Sequence, residues 1–167
     1  MVIKKYKTEK RKIQRELNGD GKVYPVPVFK RSKIILRIVD ANLNRCREGL
    51  RVVEDSLRFI VNDDVLYKKI RNIRHNIDRI LRDIYPELIK GRDPFGDPGR
   101  EMHEVLKKDL HVAVIANFKR AQESMRVLEE YSKIFLPVLS AEFKKYRYET
   151  YIAEKLVYLR YRKFFAY

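Results

Sequence analysis

The sequence predicts an all-α protein: two copies of a helical hairpin forming a four-helix bundle-like domain, with an irregular N-terminal arm in front. Three observations predict it. First, Ala41, Asn42, Arg45, Glu48, Arg51, Val52 and Glu54 recur as Ala116, Asn117, Arg120, Glu123, Arg126, Val127 and Glu129, a constant offset of 75 (117 − 42). Second, Cys46, Leu50, Val53, Leu57 and Ile60 fall within a sector of about 80° when each residue advances about 100°, the signature of a helix with one apolar face. Third, Tyr67-Lys68-Lys69-Ile70-Arg71 resembles Phe143-Lys144-Lys145-Tyr146-Arg147 at an offset of 76 (143 − 67), so the repeated unit is a hairpin rather than a single helix. Nothing in the duplicated region alternates as a strand would.

Residues 1–31 form a basic arm, with ten Lys/Arg against three acids, a net of +7 (10 − 3). In it, Thr8 caps a short helix through Leu17, Asn18 to Gly21 make a turn, and the alternate prolines Pro25 and Pro27 keep Val23–Phe29 extended. Residues 32–167 form a single helical domain. Its first helix runs over Asp40–Ile60 with Asp40 as N-cap, or from an earlier start at Ser32. The second helix covers about Val65 to Tyr85 and stops at Pro86. Repeat one therefore spans about 38–85, and repeat two about 113–161. The third helix extends over about Val105 to Phe135, ended by Pro137, and the fourth over about Ser140 to Tyr161. Between the repeats, the 86–100 connection holds three of the six prolines and three of the six glycines, a stiff loop built to keep a shape.

At 167 residues with 45% apolar content, the chain can bury a core without cross-links. The single cysteine, Cys46, rules out an internal disulfide, and no apolar run approaches a membrane span or a secretory signal. These features lead us to expect a cytoplasmic protein with no membrane partner. The formal charge of +15 invites a nucleic-acid reading. Nearly half of that charge sits on the arm, which leaves an ordinary +8 (15 − 7) for the rest and argues against nucleic acid as the partner.

The duplicated pattern is polar, and that is its interest. Asn42 and Asn117 fall inside the apolar sector, with Glu54 and Glu129 at its edge, and a buried amide or carboxylate needs partners. Either binding or inter-repeat bonding satisfies that need. Arg51–Glu54 and Arg45–Glu48 have the spacing of ordinary helix-surface ion pairs, worth about 0.2–0.5 kcal/mol each. Arg71 and Arg147 fall at matching places in the second helices, where planar guanidinium forks suit phosphate oxygens. In the loop, Asp93 and Asp97 are candidate magnesium ligands, while Gly96 and Gly99 could bring backbone N–H groups close to an anion. Against this, Asp-Pro and Pro-Gly pairs are common turn chemistry. No Gly-Lys-Ser/Thr follows, so a P-loop is excluded. His75, His103 and His111 lack metal-ligand spacing. Tyr146, Tyr148, Tyr151, Tyr158 and Tyr161 read mostly as core.

Three stretches, Arg37 to Asp55, Arg92 to Gly99 and Ala116 to Tyr131, resemble in order and spacing the helical domain fused in front of some bacterial thiamine-phosphate synthases. The resemblance covers roughly residues 36–155 and leaves no room for the synthase barrel. It implies a hydroxymethylpyrimidine-phosphate kinase of thiamine biosynthesis, using ATP and Mg2+ to convert hydroxymethylpyrimidine phosphate to the diphosphate. No residue roles come with the resemblance, so the assignments are physical. Phosphoryl transfer needs charge neutralisation and in-line placement more than covalent help. Arg45, Arg71, Arg120 and Arg147 would bind phosphates in a cleft between the hairpins, with Arg120 closest to the chemistry. Asp93 and Asp97 would hold magnesium, Asn42 and Asn117 would orient substrate, and Glu54 and Glu129 would shape a polar wall. The competing readings are a basic helical nucleic-acid-binding protein, a small all-α enzyme acting on another anionic metabolite, and a dimerisation module. A pseudo-symmetric bundle is also compatible with a homodimer.

Overall fold

The computed structural model describes residues 28–97, 109–135 and 137–161, with side chains placed over 34–97, 109–134 and 137–161. Five helices follow in order: α1 (Val28–Phe59), α2 (Asp64–Leu81), α3 (Tyr85–Gly91), α4 (Leu110–Phe135) and α5 (Pro137–Arg160). The fold is all-α, with no strand among the described residues. No described helix is long and apolar enough to cross a membrane. The expected helix at Thr8–Leu17, the turn at 18–21, Gly99, the start of the third helix at Val105 and the tail past Tyr161 lie outside the described residues.

α1 departs from expectation at its start. It is already helical at Val28, so the boundary drawn at 31/32 falls inside it, and the extended reading fails for Val28 and Phe29. Asp40 is therefore a buried mid-helix residue and not a cap. It is tolerated there because Arg92 donates from Nε and Nη2 to its two oxygens, both at 2.7 Å. A carboxylate taken from water needs such a partner. α1 ends where Asn62 turns left-handed (φ 56°), a conformation Asn accepts more readily than most residues, and the Asp63 N–H returns to the Leu57 carbonyl at 3.0 Å.

α2 opens on Asp63, whose Oδ1 accepts from the N–H groups of Val65 (3.1 Å) and Leu66 (2.9 Å), satisfying two of the donors a helix start leaves free. The second helix ends at Leu81, short of the expected Tyr85, and Pro86 begins a helix instead of ending one. Proline costs nothing in a first turn, where its missing N–H has no intrahelical acceptor. The same rule shifts α5, which starts at Pro137 and not at Ser140.

α1 and α4 form the central pair, α2 flanks α1, α5 flanks α4, and α2 meets α5 to close the bundle. α3 lies against α1. The central crossing is close because Gly49 has no side chain: a Cβ there would stand 2.7 Å from the Asn117 carbonyl oxygen and 3.3 Å from the Ala121 nitrogen. Cys46 and Ala121, both fully buried, are the repeat-equivalent small residues beside this crossing. The core continues through Leu50, Val53, Phe118, Met125 and Leu128, each of the large side chains contributing about 1.5–3 kcal/mol by leaving water.

The repeat register in the flanking helices needs correction. Of the five buried residues of α2, Leu66, Ile70, Ile73 and Ile77 have buried counterparts in α5, Leu139, Phe143, Tyr146 and Thr150, while the fifth, Leu81, corresponds to the half-buried Glu154. That is an offset of 73 (139 − 66), not 76. The string of lysines that suggested 76 is solvent-facing, where similarity is cheap, whereas the buried faces set the true alignment. Repeat two is two residues shorter (75 − 73) between its helices than repeat one.

Candidate functional site

A cleft of about 560 Å³ opens where α1 and α4 cross, lined by Asn42 and Arg45 from the first half and by Ala116, Lys119, Arg120, Glu123, Ser124 and Val127 from the second. Arg45 and Arg120 are repeat equivalents, so the internal symmetry brings two guanidinium groups to one opening. Lys119 beside them is paired with Glu154 of α5 at 3.1 Å and Glu123 opposes, so the two arginines supply the cleft's excess positive charge, suited to phosphate oxygens. Asn42 turns its amide inward, Nδ2 donating to the Ile38 carbonyl at 2.9 Å, and Asn117 does the same to Ala113 at 2.8 Å. Both amides thus bond within their own helix. Asn42 still lines the cleft, and Asn117 lies at the close crossing beneath Gly49.

The repeated glutamates do different work. Glu54 is fully buried and accepts from Arg51 Nη1 (3.3 Å) and, across to α2, from Arg74 Nε (2.8 Å). Glu129 copies this geometry: Arg126 Nη1 donates at 3.0 Å, while Arg147 of α5 donates from Nε and Nη2 at 3.1 and 2.9 Å. These are two equivalent clamps, each tying a flanking helix to a central one. Arg147 is therefore held by Glu129 rather than lining the cleft, and its match in the first half is Arg74 (147 − 73), not Arg71. Arg71 instead donates to its own helix neighbour, the Tyr67 hydroxyl, at 3.4 Å. The expected four-arginine cluster thus reduces to Arg45 and Arg120, because the buried Glu129 claims Arg147 and Arg71 turns to its own helix. Burial works against the charge on Arg147, but hydrogen bonds to Tyr151 and Glu129 outweigh it and keep the guanidinium above its ordinary pKa.

The stiff loop does hold a shape, and its aspartates show how. Asp93 Oδ1 accepts the Gly96 N–H at 2.9 Å, and Oδ2 lies 3.5 Å from Arg37. Arg37 also donates to the carbonyls of Asp93 (3.1 Å) and Gly96 (2.9 Å). The Gly96 N–H expected to meet an external anion thus meets the chain's own carboxylate. Together with the Arg92–Asp40 fork, these bonds fix the loop to the stretch of α1 before Asn42. Neither Asp93 nor the exposed Asp97 lines the central cleft. Among the described residues no three His, Cys, Asp or Glu side chains gather as a metal site.

Sequence reasoning missed two contributors. Lys119 sits where repeat one has Asn44, so a search by duplication passes over it. Arg74 needed the buried faces of the flanking helices to be aligned first. The tyrosines also fall otherwise than expected: Tyr146 is core, but Tyr148, Tyr151 and Tyr158 are exposed. Cys46, completely buried, has its thiol pushed up to about 12 by desolvation and by nearby Asp78, which leaves it without nucleophilic character.

Fold and site together define a class: an internally duplicated helical bundle with a cationic cleft between its two central helices. A family model for the ThiD2 family matches residues 37–156, and the chain belongs to that family, one of thiamine biosynthesis. Relatives named thiamine-phosphate synthase include those of Nostoc punctiforme (38% identical over 125 residues, 73% of this chain and 35% of the relative) and Thermosynechococcus vestitus (39% over 126 residues, 74% and 35%). Another, from Rhodopirellula baltica, is 38% identical over 124 residues, 72% of this chain and 33% of the relative. The chain spans about a third of the length of these curated relatives. No solved structure matches it.

Proposed function

We propose that this chain is a kinase of thiamine biosynthesis that moves the γ-phosphoryl group of ATP onto hydroxymethylpyrimidine phosphate. The observation that carries the reading is the cleft in which Arg45 and Arg120, retained in both repeats, meet with Lys119. Donor and acceptor both bring phosphates, and neutralising them is the main task in such a transfer. An oxygen of the acceptor phosphate attacks the γ-phosphorus, the bond from that phosphorus to the β-bridging oxygen breaks, and ADP leaves. A phosphate is already a nucleophile, so no general base is required. Membership of the family and the ordered resemblance of its three motifs support the choice of substrate.

Magnesium accompanies ATP in this reading, bound through the nucleotide's phosphate oxygens. Asp93 already serves the loop, its oxygens meeting the Gly96 N–H and Arg37. Asp97, on the same loop, is tested alongside it, and no step is assigned to the ion. The deciding experiment is incubation with ATP, magnesium and the pyrimidine monophosphate, followed by product mass. Appearance of the pyrimidine diphosphate together with ADP supports the proposal, and ADP without it points to another acceptor.

A further inference from the structure

The duplication also doubles a groove between the helices of each hairpin, and the two copies have diverged. In the second half, a groove of about 420 Å³ between α4 and α5 is lined by Phe118, Tyr151, Glu154, Lys155 and Tyr158, with Lys119 at its edge. The corresponding residues of the first half are Leu43 (118 − 75) and Asp78, Leu81, Arg82 and Tyr85 (151, 154, 155 and 158, each − 73). They line a groove of half the size, about 210 Å³. That copy is plugged by charge: Arg47 Nε reaches Asp78 at 2.8 Å, and Arg74 lies 3.9 Å from it. In the second half, the place of Asp78 is taken by Tyr151 and that of Arg47 by Gln122. The Arg47–Asp78 pair thus has no counterpart there; an aromatic wall stands in its place, and the charge pair of this groove is Lys119 with Glu154, at 3.1 Å.

We infer that the α4–α5 groove receives the planar aminopyrimidine ring of the acceptor, an assignment that rests on the function proposed above. The ring lies against Tyr151 and Tyr158, offset stacking on such faces being worth about 0.5–1.5 kcal/mol per pair beyond buried area. Glu154, which accepts from Gln122 Nε2 at 2.6 Å and pairs with Lys119 at 3.1 Å, is the one carboxylate in the groove to meet an exocyclic amine, with Lys119 turning to the phosphate as it does so. Lys119 lines this groove and the cationic cleft alike, so a phosphate carried on the ring points toward Arg120. The clamp gains a purpose: Arg147, fixed by Glu129, donates to the Tyr151 hydroxyl at 3.3 Å and so positions the ring-binding tyrosine. In the first half the same device, Glu54–Arg74, faces Asp78 and the plug. The acceptor therefore belongs to the second repeat.

The test separates binding from turnover. Calorimetric titration of hydroxymethylpyrimidine phosphate, without nucleotide, is run on the wild-type chain, on Tyr151→Leu, Tyr151→Phe and Glu154→Gln, and on Arg82→Ala from the plugged groove. Kd should rise at least about tenfold in Tyr151→Leu and Glu154→Gln, equivalent to about 1.4 kcal/mol, and by less in Tyr151→Phe, which keeps the ring but loses the hydroxyl that Arg147 holds, with Arg82→Ala near wild type. Wild-type affinity in both Tyr151→Leu and Glu154→Gln, or a loss in Arg82→Ala instead, overturns the ring site, whatever the turnover. Binding with the expected pattern but no diphosphate product overturns the kinase and leaves the ring site standing. A wild-type chain that does not bind the pyrimidine phosphate overturns both.

Discussion

Gly49 of α1 lies so close to Asn117 of α4 that a Cβ would come within 2.7 Å of the Asn117 carbonyl oxygen. In an exposed helix, replacing glycine by alanine stabilises by up to about 1 kcal/mol. Here the obstacle is backbone, which cannot swing aside, so the helices must part. We expect Gly49→Ala to destabilise by about 1–3 kcal/mol, the range of an overpacked core. It should also weaken phosphate binding, because Arg45 of α1 and Arg120 of α4 line one cleft between the helices that would part. Urea denaturation read by circular dichroism measures the first effect. A variant as stable as the wild type would show that the helices separate without cost.

The clamps predict a contrast within one hydrogen-bonded group. Removing Glu54 leaves Arg74, whose side chain is only 12% exposed, without its buried counter-charge. Glu54→Ala should therefore cost about 3–5 kcal/mol, the penalty for breaking a buried ion pair. Arg51 contacts the same carboxylate from solvent, 55% exposed, and Arg51→Ala should cost under about 1 kcal/mol. Equal losses in the two variants, by the same denaturation assay, would contradict the assignment of Arg74 as the principal partner.

These residues also show what the sequence could and could not reveal. The repeat at 75 was legible because identical polar residues recurred at fixed spacing, and the apolar sector placed Asn42 in the buried part of α1 but left Glu54 at its edge, where the structure buries it fully. The partner of Glu54 was not legible, since lysine-rich surface similarity favoured an offset of 76 and drew attention to Arg71. Only the alternation of buried residues in α2 and α5 discloses the offset of 73. Asp40 resembled a cap because short polar residues favour helix starts, yet a distant arginine, Arg92, satisfies it in mid-helix. Pairings across 52 positions leave no local trace.

For catalysis, Arg45→Ala and Arg120→Ala should each lower turnover by about a hundredfold, comparable to loss of one transition-state donor. Both residues line an open cleft, so melting temperatures should stay within a few degrees. Steady-state assay with magnesium–ATP and the pyrimidine monophosphate, alongside thermal melts, checks this. Full turnover in both variants would remove the cleft from the chemistry.

The loop aspartates should separate into a structural and a functional residue. Asp93→Asn weakens the ion pair with Arg37 while its amide oxygen can still accept the Gly96 N–H, so a small loss of stability is expected with no change in magnesium requirement. Asp97→Ala should raise the magnesium concentration needed for half-maximal turnover. Titrating magnesium at saturating ATP distinguishes the two, and an increased requirement in Asp93→Asn alone would reverse the roles.

Asp63 ties the start of α2 to the end of α5, and its protonation should mark the acid limit of the fold. Its Oδ1 caps α2, while Oδ2 accepts from Arg160 (2.6 Å) and from the Tyr161 hydroxyl (2.7 Å). Burial pushes its pKa up, but the Leu66 N–H, Tyr161 and Arg160 together prevail and hold it at about 2, below the ordinary 3.8. A carboxyl whose pKa is depressed on folding adds stability above its unfolded value and surrenders it as pH falls to the folded one. The contribution, about 2 kcal/mol, should be complete above pH 4 and fade between about pH 4 and 2. Asp63→Asn retains a capping oxygen but loses the charge, so it should flatten that part of the stability–pH curve while lowering the plateau. Denaturation midpoints at half-unit pH steps compare the two proteins. Parallel curves for wild type and Asp63→Asn down to pH 2 would show that other carboxylates set the limit.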